Sequence, residues 1–335
     1  MSKRRVTAIA GFVLTFFFLY LAVRNIEWAE VGTAFRKANY VFILPATLFV
    51  LADYLLRTWR WHHILWPTRA ISVRALFPIL VIGFAANNLL PARIGELARV
   101  YLLERSEGVS KSLGLATLVV ERVFDGFTLL FLLAATSLVF PLSGLAEQME
   151  YIFLAGFGLV LIALLLMLFR EAWTLRLAGL ILRPLPHGLA DRLQAMLASF
   201  ILGLHAFRHR SALLRVMVIS LAAWLCEAAG YGTLMLAFDF NMTPGTLVGA
   251  AIFTLVMINL GILLPSAPGY VGTFQFFTIA ALATFGVSRE AALSYSILSH
   301  AMQYVLITAL GIFFLWRANL SLTSIEAASE TATSA

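Results

Sequence analysis

Cysteine and charge are both scarce in this chain. Cys226 is the only cysteine among 335 residues, so no disulfide can form within the chain. Charged residues make up 12% of the sequence, about half of what water-soluble domains usually carry. Hydrophobic residues make up 61%, in runs long enough to cross a bilayer. The composition therefore excludes a soluble globular domain and predicts an all-α integral membrane protein.

The motifs of soluble enzymes are also missing. His62 and His63 are adjacent, so one helix cannot direct both rings at the same metal, and no partner stands at ligand spacing. No nucleotide-binding motif and no serine, histidine and acid arrangement occurs. We therefore expect no cofactor, no metal and no enzymatic activity. The net charge of +7 comes from basic residues in short loops, so we expect no nucleic-acid partner.

Stretches of about 20 apolar residues, the length of a membrane-spanning helix, stand at 6–23, 40–60, 112–139, 151–169, 212–238 and 291–316. Basic residues cluster at the N-terminus, in a predicted loop after the second stretch, and between the fourth and the fifth. The loop after the second stretch is assigned Arg57, Arg60, Arg69 and Arg74. Loops 140–150 and 239–244 contain no lysine or arginine. The positive-inside rule therefore predicts that both termini lie in the cytoplasm.

Two parts of the chain repeat each other at a nearly constant offset. Asp53 and Glu227, each the lone acid of an apolar run, are 174 residues apart, and so are Pro91 and Pro265. Gly-Val-Ser at 108–110 recurs at 286–288 and opens a long apolar helix both times. Apolar segments broken at corresponding places in two halves are typical of transporters with an internal repeat.

The charge pattern gives the two broken segments opposite orientations. Residues 75–110 begin and end on the cytoplasmic side, whereas residues 245–290 begin and end outside. We predict a polytopic helical bundle with two re-entrant hairpins in an inverted-topology repeat. The alternative is that every hairpin limb spans the membrane, which gives ten helices. The repeats cover about 40–139 and 212–317 of a single domain at 1–319, with an interfacial elbow helix at 187–207 and a disordered tail at 320–335.

Charged residues inside the membrane are costly, so each one suggests function. The first repeat carries most of them, and His300 and Gln303 take the places of Arg122 and Asp125 in the second. We predict a midplane site that binds an anionic headgroup. Its residues are Arg93, Glu96, Arg99, Glu121, Arg122, Asp125, Asp53, Glu227, His300 and Gln303. The alternative is that these charges only neutralise one another.

Asparagine, proline and glycine mark the two breaks. The predicted hinge or helix-break residues are Asn87, Asn88, Pro91, Gly95, Pro265, Pro268, Gly269 and Gly272. Helices that begin after Pro91 and Pro268 would offer unpaired backbone N–H groups to an anion. The alternative role for the glycines is close helix packing, which small residues serve in membranes.

Three segments carry a resemblance to a known family: NNLLPARIGELARVYLL at 87–103, Gly-Val-Ser to LATLVVERVFD at 108–125, and PSAPGYVGTFQFF with FGVSREAAL within 265–293. In these segments the chain resembles the flippase-like membrane domain of the lysylphosphatidylglycerol synthase superfamily. The resemblance covers residues 6–317 and implies an inner-membrane protein that moves or binds lipids. The chain ends at 335, with no room for the soluble aminoacyl-transfer domain, so we expect a stand-alone member without synthase activity.

These observations leave three functional hypotheses. The first is a lipid translocator that moves or binds a phospholipid, an aminoacylated lipid or another lipid-linked headgroup. The second is an accessory membrane protein that binds a lipid-synthesis enzyme and transports nothing. The third, an intramembrane transferase, has no catalytic constellation in its favour. A proton could also be carried by Asp53, Glu227 or His300.

Overall fold

The computed structural model describes residues 3–90, 94–140, 170–186, 210–264 and 267–321, with isolated positions between 148 and 198. Every regular element in these ranges is a helix, and the predicted all-α membrane fold is confirmed. Four of the described helices are long and apolar enough to cross a membrane. The predicted span at 151–169, the elbow helix at 187–207 and the tail fall mostly or wholly outside the described residues.

The N-terminal segment forms two helices rather than one. Helix α1 spans Lys3–Val23, and α2 spans Trp28–Lys37 after a bend of 81°. Helix α2 buries Val31, exposes Trp28 and ends in two basic residues, the pattern of a helix that lies at a membrane surface. We did not predict α2, because ten residues of mixed polarity give no membrane-span pattern.

The first half of the bundle consists of α3 (Ile43–Leu65), α4 (Val73–Leu89), α5 (Ile94–Glu107) and α6 (Lys111–Val139). Helix α7 (Glu171–Leu182) follows, within a stretch for which we predicted only basic residues between two spans. The second half consists of α8 (Arg210–Met235), α9 (Pro244–Ile262), α10 (Thr273–Ala283) and α11 (Arg289–Arg317). Each half is thus a long helix, a hairpin of shorter helices and a second long helix. That one half is inverted relative to the other stays a prediction.

The repeated Gly-Val-Ser motif has the same local structure in both halves. Gly108 and Gly286 take positive φ angles of 64° and 78°, which end the preceding helix. Ser110 and Ser288 are the N-caps of α6 and α11, and each Oγ accepts a hydrogen bond from the backbone N–H three residues later. The motif therefore ends one helix and begins the next.

The tips of the two hairpins meet beside the middle of α11. Tyr304, one residue past the midpoint of that helix, donates a hydrogen bond of 3.4 Å to the carbonyl oxygen of Asn88, at the end of α4. Gly269, in the 3₁₀ turn between α9 and α10, lies so close that an added Cβ would stand 2.7 Å from the Tyr304 ring. Both tips thus lie near the centre of a 29-residue helix, where re-entrant hairpins would end.

Close packing of small residues joins the two halves. Gly230 of α8 faces Ala46 and Phe49 of α3. Gly311 of α11 lies against Ala85 of α4, where an added Cβ would overlap the alanine side chain. Such contacts bring helix backbones together, which is how helices associate inside a bilayer.

The second predicted span was assigned the wrong end. We placed Arg57 and Arg60 in a cytoplasmic loop, but α3 continues to Leu65 and both arginines are buried in it. Arg69 and Arg74 do lie in or beside the exposed connection to α4. The error arose because two arginines were taken as a membrane boundary, whereas buried carboxylates keep them inside.

Candidate functional site

A cavity of about 510 Å³ lies between the two halves. It is lined by residues of α3, α4, α5, α6, α8, α9, α10 and α11 and by the turns that follow α9. Eight of the predicted substrate-binding residues line it, namely Asp53, Glu96, Arg99, Arg122, Asp125, Glu227, His300 and Gln303. Glu121 lies behind this lining, paired with Arg99, while Arg93 falls outside the described residues. The sequence repeat therefore located residues that the fold brings together from both halves.

Arg57 connects the two acids that the repeat had matched. Its Nε lies 2.8 Å from both carboxylate oxygens of Asp53, and its Nη2 lies 2.6 Å from Oε2 of Glu227. Its guanidinium also stacks over the Trp224 ring, 4.3 Å from the ring centroid. Asp53 and Arg57 are four residues apart on α3, a spacing that places them on one helix face. The acids of the two halves thus share one cation.

A second buried arginine, Arg60, holds Asp125. Its Nη1 lies 2.6 Å from Oδ1 of Asp125 and donates to Ser220 Oγ at 3.1 Å. The indole N–H of Trp224 donates to the same Asp125 oxygen at 3.1 Å. Asp125 on α6 is therefore fixed from α3 and from α8, and we had not predicted either partner.

Arg99 and Glu121 form a two-pronged ion pair between α5 and α6. The two Nη atoms lie 2.8 and 3.0 Å from the two carboxylate oxygens, and both side chains are almost completely buried. The Arg99 guanidinium also lies over Trp61, 4.1 Å from the ring centroid. A bidentate pair of this kind neutralises both charges, so it acts as a structural clamp between two helices.

Arg122 is held far more loosely than these three arginines. Its nearest carboxylate oxygens lie 3.4 Å away on Asp125 and 3.8 Å away on Glu121, and each acid already has a closer arginine. Its side chain is 44% exposed, and it lines the cavity. The alternative that the charges only neutralise one another thus describes Arg57, Arg60 and Arg99. It leaves Arg122 with a guanidinium that can bind something else.

The second half contributes uncharged polar groups to the same cavity. The His300 ring stacks on Phe274 with centroids 4.4 Å apart, and its Nδ1 lies 3.1 Å from Nε2 of Gln275. The other end of the Gln275 amide accepts a hydrogen bond of 2.8 Å from the backbone N–H of Gly272. Gln275, which we did not predict, therefore ties the start of α10 to His300.

The break residues of the first half lie at a tight helix crossing. Asn87 Oδ1 of α4 accepts a hydrogen bond of 2.8 Å from the backbone N–H of Gly95 of α5. Gly95 lies within α5, where an added Cβ would overlap the carbonyl oxygen of Gly83. Asn88 donates to Thr308 Oγ1 at 3.1 Å. Gly95 therefore has the packing role that we had given as the alternative, and Pro91 itself lies outside the described residues.

The break residues of the second half include two glycines that the backbone requires. Gly269 and Gly272 have φ angles of 71° and 82°, a region that side chains disfavour. Pro268 opens the 3₁₀ turn that ends at Tyr270, while Pro265 falls outside the described residues.

Two backbone N–H groups at the breaks, where we predicted unpaired donors, form hydrogen bonds within the protein. The N–H groups of Gly95 and Gly272 are each taken by a side chain of the protein, Asn87 and Gln275 respectively. These two N–H groups are therefore not free to bind an anion.

Sequence reasoning missed Arg57, Arg60 and Trp224, the tryptophan that stacks with Arg57. The spacing of Asp53 and Arg57 was available as a pattern, and it would have marked Arg57 as buried. The pairings of Arg60 and Trp224 with Asp125 join residues 65 and 99 positions apart, which no local pattern shows. Within the described ranges, no group of three metal-ligating side chains is present.

The sequence model of the lysylphosphatidylglycerol synthase TM region matches residues 8–311 of this chain. The chain belongs to this family. Among curated relatives, the glycosyltransferase AglD of Haloferax volcanii is 28% identical over 96% of this chain, which spans 56% of that relative's length. A UPF0104 membrane protein of Methanothermobacter thermautotrophicus is 27% identical over 84% of this chain and 87% of its own. No solved structure matches the chain.

Proposed function

We propose that the protein is a lipid translocator that binds a phospholipid or another lipid-linked anionic headgroup in the cavity and exposes it on alternate sides of the membrane. The observation that carries the proposal is Arg122, a cavity-lining cation with a 44% exposed side chain and only distant carboxylates. An arginine in this state can form charge-assisted hydrogen bonds to a phosphate. His300 and Gln303 line the same cavity and offer further polar contacts.

The pairing of the other arginines supports this role for Arg122. Glu121 and Asp125 each contact a closer guanidinium, so neither acid depends on Arg122 for its counter-charge. A cation within a membrane-spanning helix is costly, and an additional one that the fold does not need suggests a ligand. In this proposal the protein lies in a bacterial-type cytoplasmic membrane with both termini inside, and it catalyses no chemical step.

The test is lipid movement in proteoliposomes that contain fluorescent headgroup-labelled lipids and an impermeant quencher. The panel comprises phosphatidylglycerol, aminoacylated phosphatidylglycerol and phosphatidylcholine. We expect the protein to expose inner-leaflet label of an anionic or aminoacylated lipid faster than empty vesicles do. Arg122→Gln should slow this by about 10- to 100-fold, the value of one or two charge-assisted hydrogen bonds.

The matched control is Arg74→Gln, which removes an exposed arginine near the start of α4 and away from the cavity. It should move lipid at the wild-type rate. Wild-type activity in Arg122→Gln would remove Arg122 from the binding site.

A second candidate is an accessory membrane protein of a lipid-synthesis pathway that transports nothing. The favouring observation is that this chain spans 56% of a relative named as a glycosyltransferase. In that relative, the matching region is part of a longer protein that is named as a glycosyltransferase. Equal label exposure with and without the protein, across the whole panel, would favour this candidate over the translocator.

A further inference from the structure

Two carboxylates share one guanidinium in the wall of the cavity. Arg57 contacts Asp53 at 2.8 Å and Glu227 at 2.6 Å, and these three side chains are between 4% and 15% exposed. We call these three residues the acid pair cluster. With both carboxylates ionised, the cluster carries one net negative charge. A net charge held away from water inside a membrane is unfavourable.

Among the described residues, no other arginine offsets this charge at contact distance. Arg60 contacts Asp125, and Arg99 contacts Glu121. The additional cation is Arg122, whose 44% exposed side chain meets Asp125 and Glu121 rather than Asp53 or Glu227. Arg122 thus faces the cavity, which Glu96 also lines, whereas the excess negative charge of the acid pair cluster is buried.

Both non-titrating and titratable polar groups surround the cluster. Helix α4 presents Asn87 and Asn88 to the cavity and α9 presents Asn259, none of which titrates. The titratable or charged neighbours are Tyr54 and Arg60 on α3, Glu96 and Arg99 on α5, Arg122 and Asp125 on α6, Cys226 and Tyr231 on α8, Tyr270 in the turn between α9 and α10, and His300 and Tyr304 on α11.

We propose that Asp53 and Glu227 together bind one exchangeable proton, and that binding of an anionic lipid in the cavity is linked to it. The proton site stands on the geometry of the cluster alone, whereas the linkage rests on the proposed function. Glu227 is the point of exchange. Its side chain is 15% exposed against 4% for Asp53, and both carboxylate oxygens of Asp53 already accept from Arg57 Nε.

The linkage follows from charge. An anionic headgroup at Arg122 adds a negative charge to the cavity that Asp53 and Glu227 also line. The added charge disfavours ionisation of both carboxylates of the acid pair cluster, so the bound proton is held more tightly. By thermodynamic reciprocity, a protonated cluster binds the anion more tightly by the same factor. The protein thereby has a means to use a proton gradient, with binding favoured on the more acidic side.

Infrared spectroscopy of the purified protein in detergent, without added lipid, tests the proton site. At neutral pH the wild type should show the C=O stretching band of a protonated carboxyl group. Asp53→Asn and Glu227→Gln should each abolish it, since either change leaves one carboxylate for one guanidinium. Glu104→Gln, which neutralises an exposed acid outside the cavity, should leave the band unchanged.

Absence of the band from the wild type overturns the proton site, and so does a band that persists in both single variants. Size-exclusion profiles identify any variant that has failed to fold. The wild-type measurement decides the question even if both variants are lost.

Binding of fluorescent phosphatidylglycerol to the detergent-solubilised protein tests the linkage, because its phosphodiester keeps one negative charge from acidic to alkaline pH. The apparent affinity of the wild type should rise about fivefold or more from alkaline to acidic buffer, the lower end of usual coupling between sites. Glu227→Gln should bind with the same affinity in both buffers. Wild-type affinity that does not change with pH overturns the linkage, even if lipid movement in proteoliposomes supports the translocator. Conversely, a band that behaves as expected, without lipid movement or lipid binding, keeps the proton site and overturns the translocator and the linkage.

Discussion

At the scale of single residues, the arginines of the cavity differ in role although they share a side chain. Arg99 meets both oxygens of Glu121 and lies over an indole ring, so its charge serves the connection between α5 and α6. Arg122 meets no carboxylate closer than 3.4 Å among the described residues. Exposure and distance, rather than residue type, therefore distinguish the structural cation from the candidate ligand cation.

This difference predicts opposite effects of the same substitution. Arg99→Gln should lower the free energy of unfolding by about 3–5 kcal/mol, because it leaves Glu121 buried without its main counter-charge. Arg122→Gln should change it by about 1 kcal/mol or less, since a half-exposed pair at longer distance contributes little. Thermal unfolding of both variants in the same detergent measures the contrast. Equal destabilisation would show that Arg122 is also a structural cation.

At the scale of helices, the crossing of α4 and α5 depends on the absence of two side chains. Gly83 and Gly95 face each other there, and the Arg99 side chain passes over Gly83 on its way to Glu121. The same crossing is closed by the hydrogen bond from the Gly95 N–H to Asn87. The geometry of the first hairpin and the position of its arginine are therefore set together.

Gly95→Ala should disrupt this crossing, because the added Cβ would overlap the backbone of Gly83, which cannot move as a side chain can. We expect a loss of about 1–3 kcal/mol, the usual cost of overpacking. Gly245→Ala in the first turn of α9 is the matched control, since its added Cβ meets no atom within 4 Å. The comparison is again made by thermal unfolding. If Gly95→Ala unfolds at the same temperature as the wild type, α4 and α5 can move apart with little loss of stability.

At the scale of the whole molecule, the meeting of the hairpin tips bears on topology. Helices α4 and α5 have 17 and 14 residues, so they are about 26 and 21 Å long, short of a ~30 Å hydrocarbon core. Helix α9, with 19 residues, is long enough to span, but α10 has only 11. The tips beside Tyr304 favour hairpins that end within the membrane over ten complete spans.

Cysteine accessibility in intact cells separates these topologies. In a Cys226→Ser background, Ser288→Cys should react with an impermeant maleimide from outside, and Arg105→Cys should react only after the cells are opened; both native side chains are exposed. Leu90→Cys, at the tip of the first hairpin, decides between the alternatives. A re-entrant hairpin protects it from outside, whereas a fully spanning one exposes it. Labelling of Leu90→Cys at the rate of Ser288→Cys would therefore establish ten spans.

The sequence by itself determined the membrane environment, the long helices at 112–139 and 291–316, the family and most of the charged residues that line the cavity. These follow from local hydropathy and from the repeat, which matches individual positions of the two halves. They can therefore be recognised without the tertiary structure. It could not determine which charges are paired. The ion pairs of Arg57 with Glu227 and of Arg60 with Asp125 join residues 170 and 65 positions apart, and sequence patterns show contacts only within a few helical turns. Tertiary structure alone decided that Arg122 keeps an accessible guanidinium and that two acids share Arg57, because both depend on which helices pack together around the cavity.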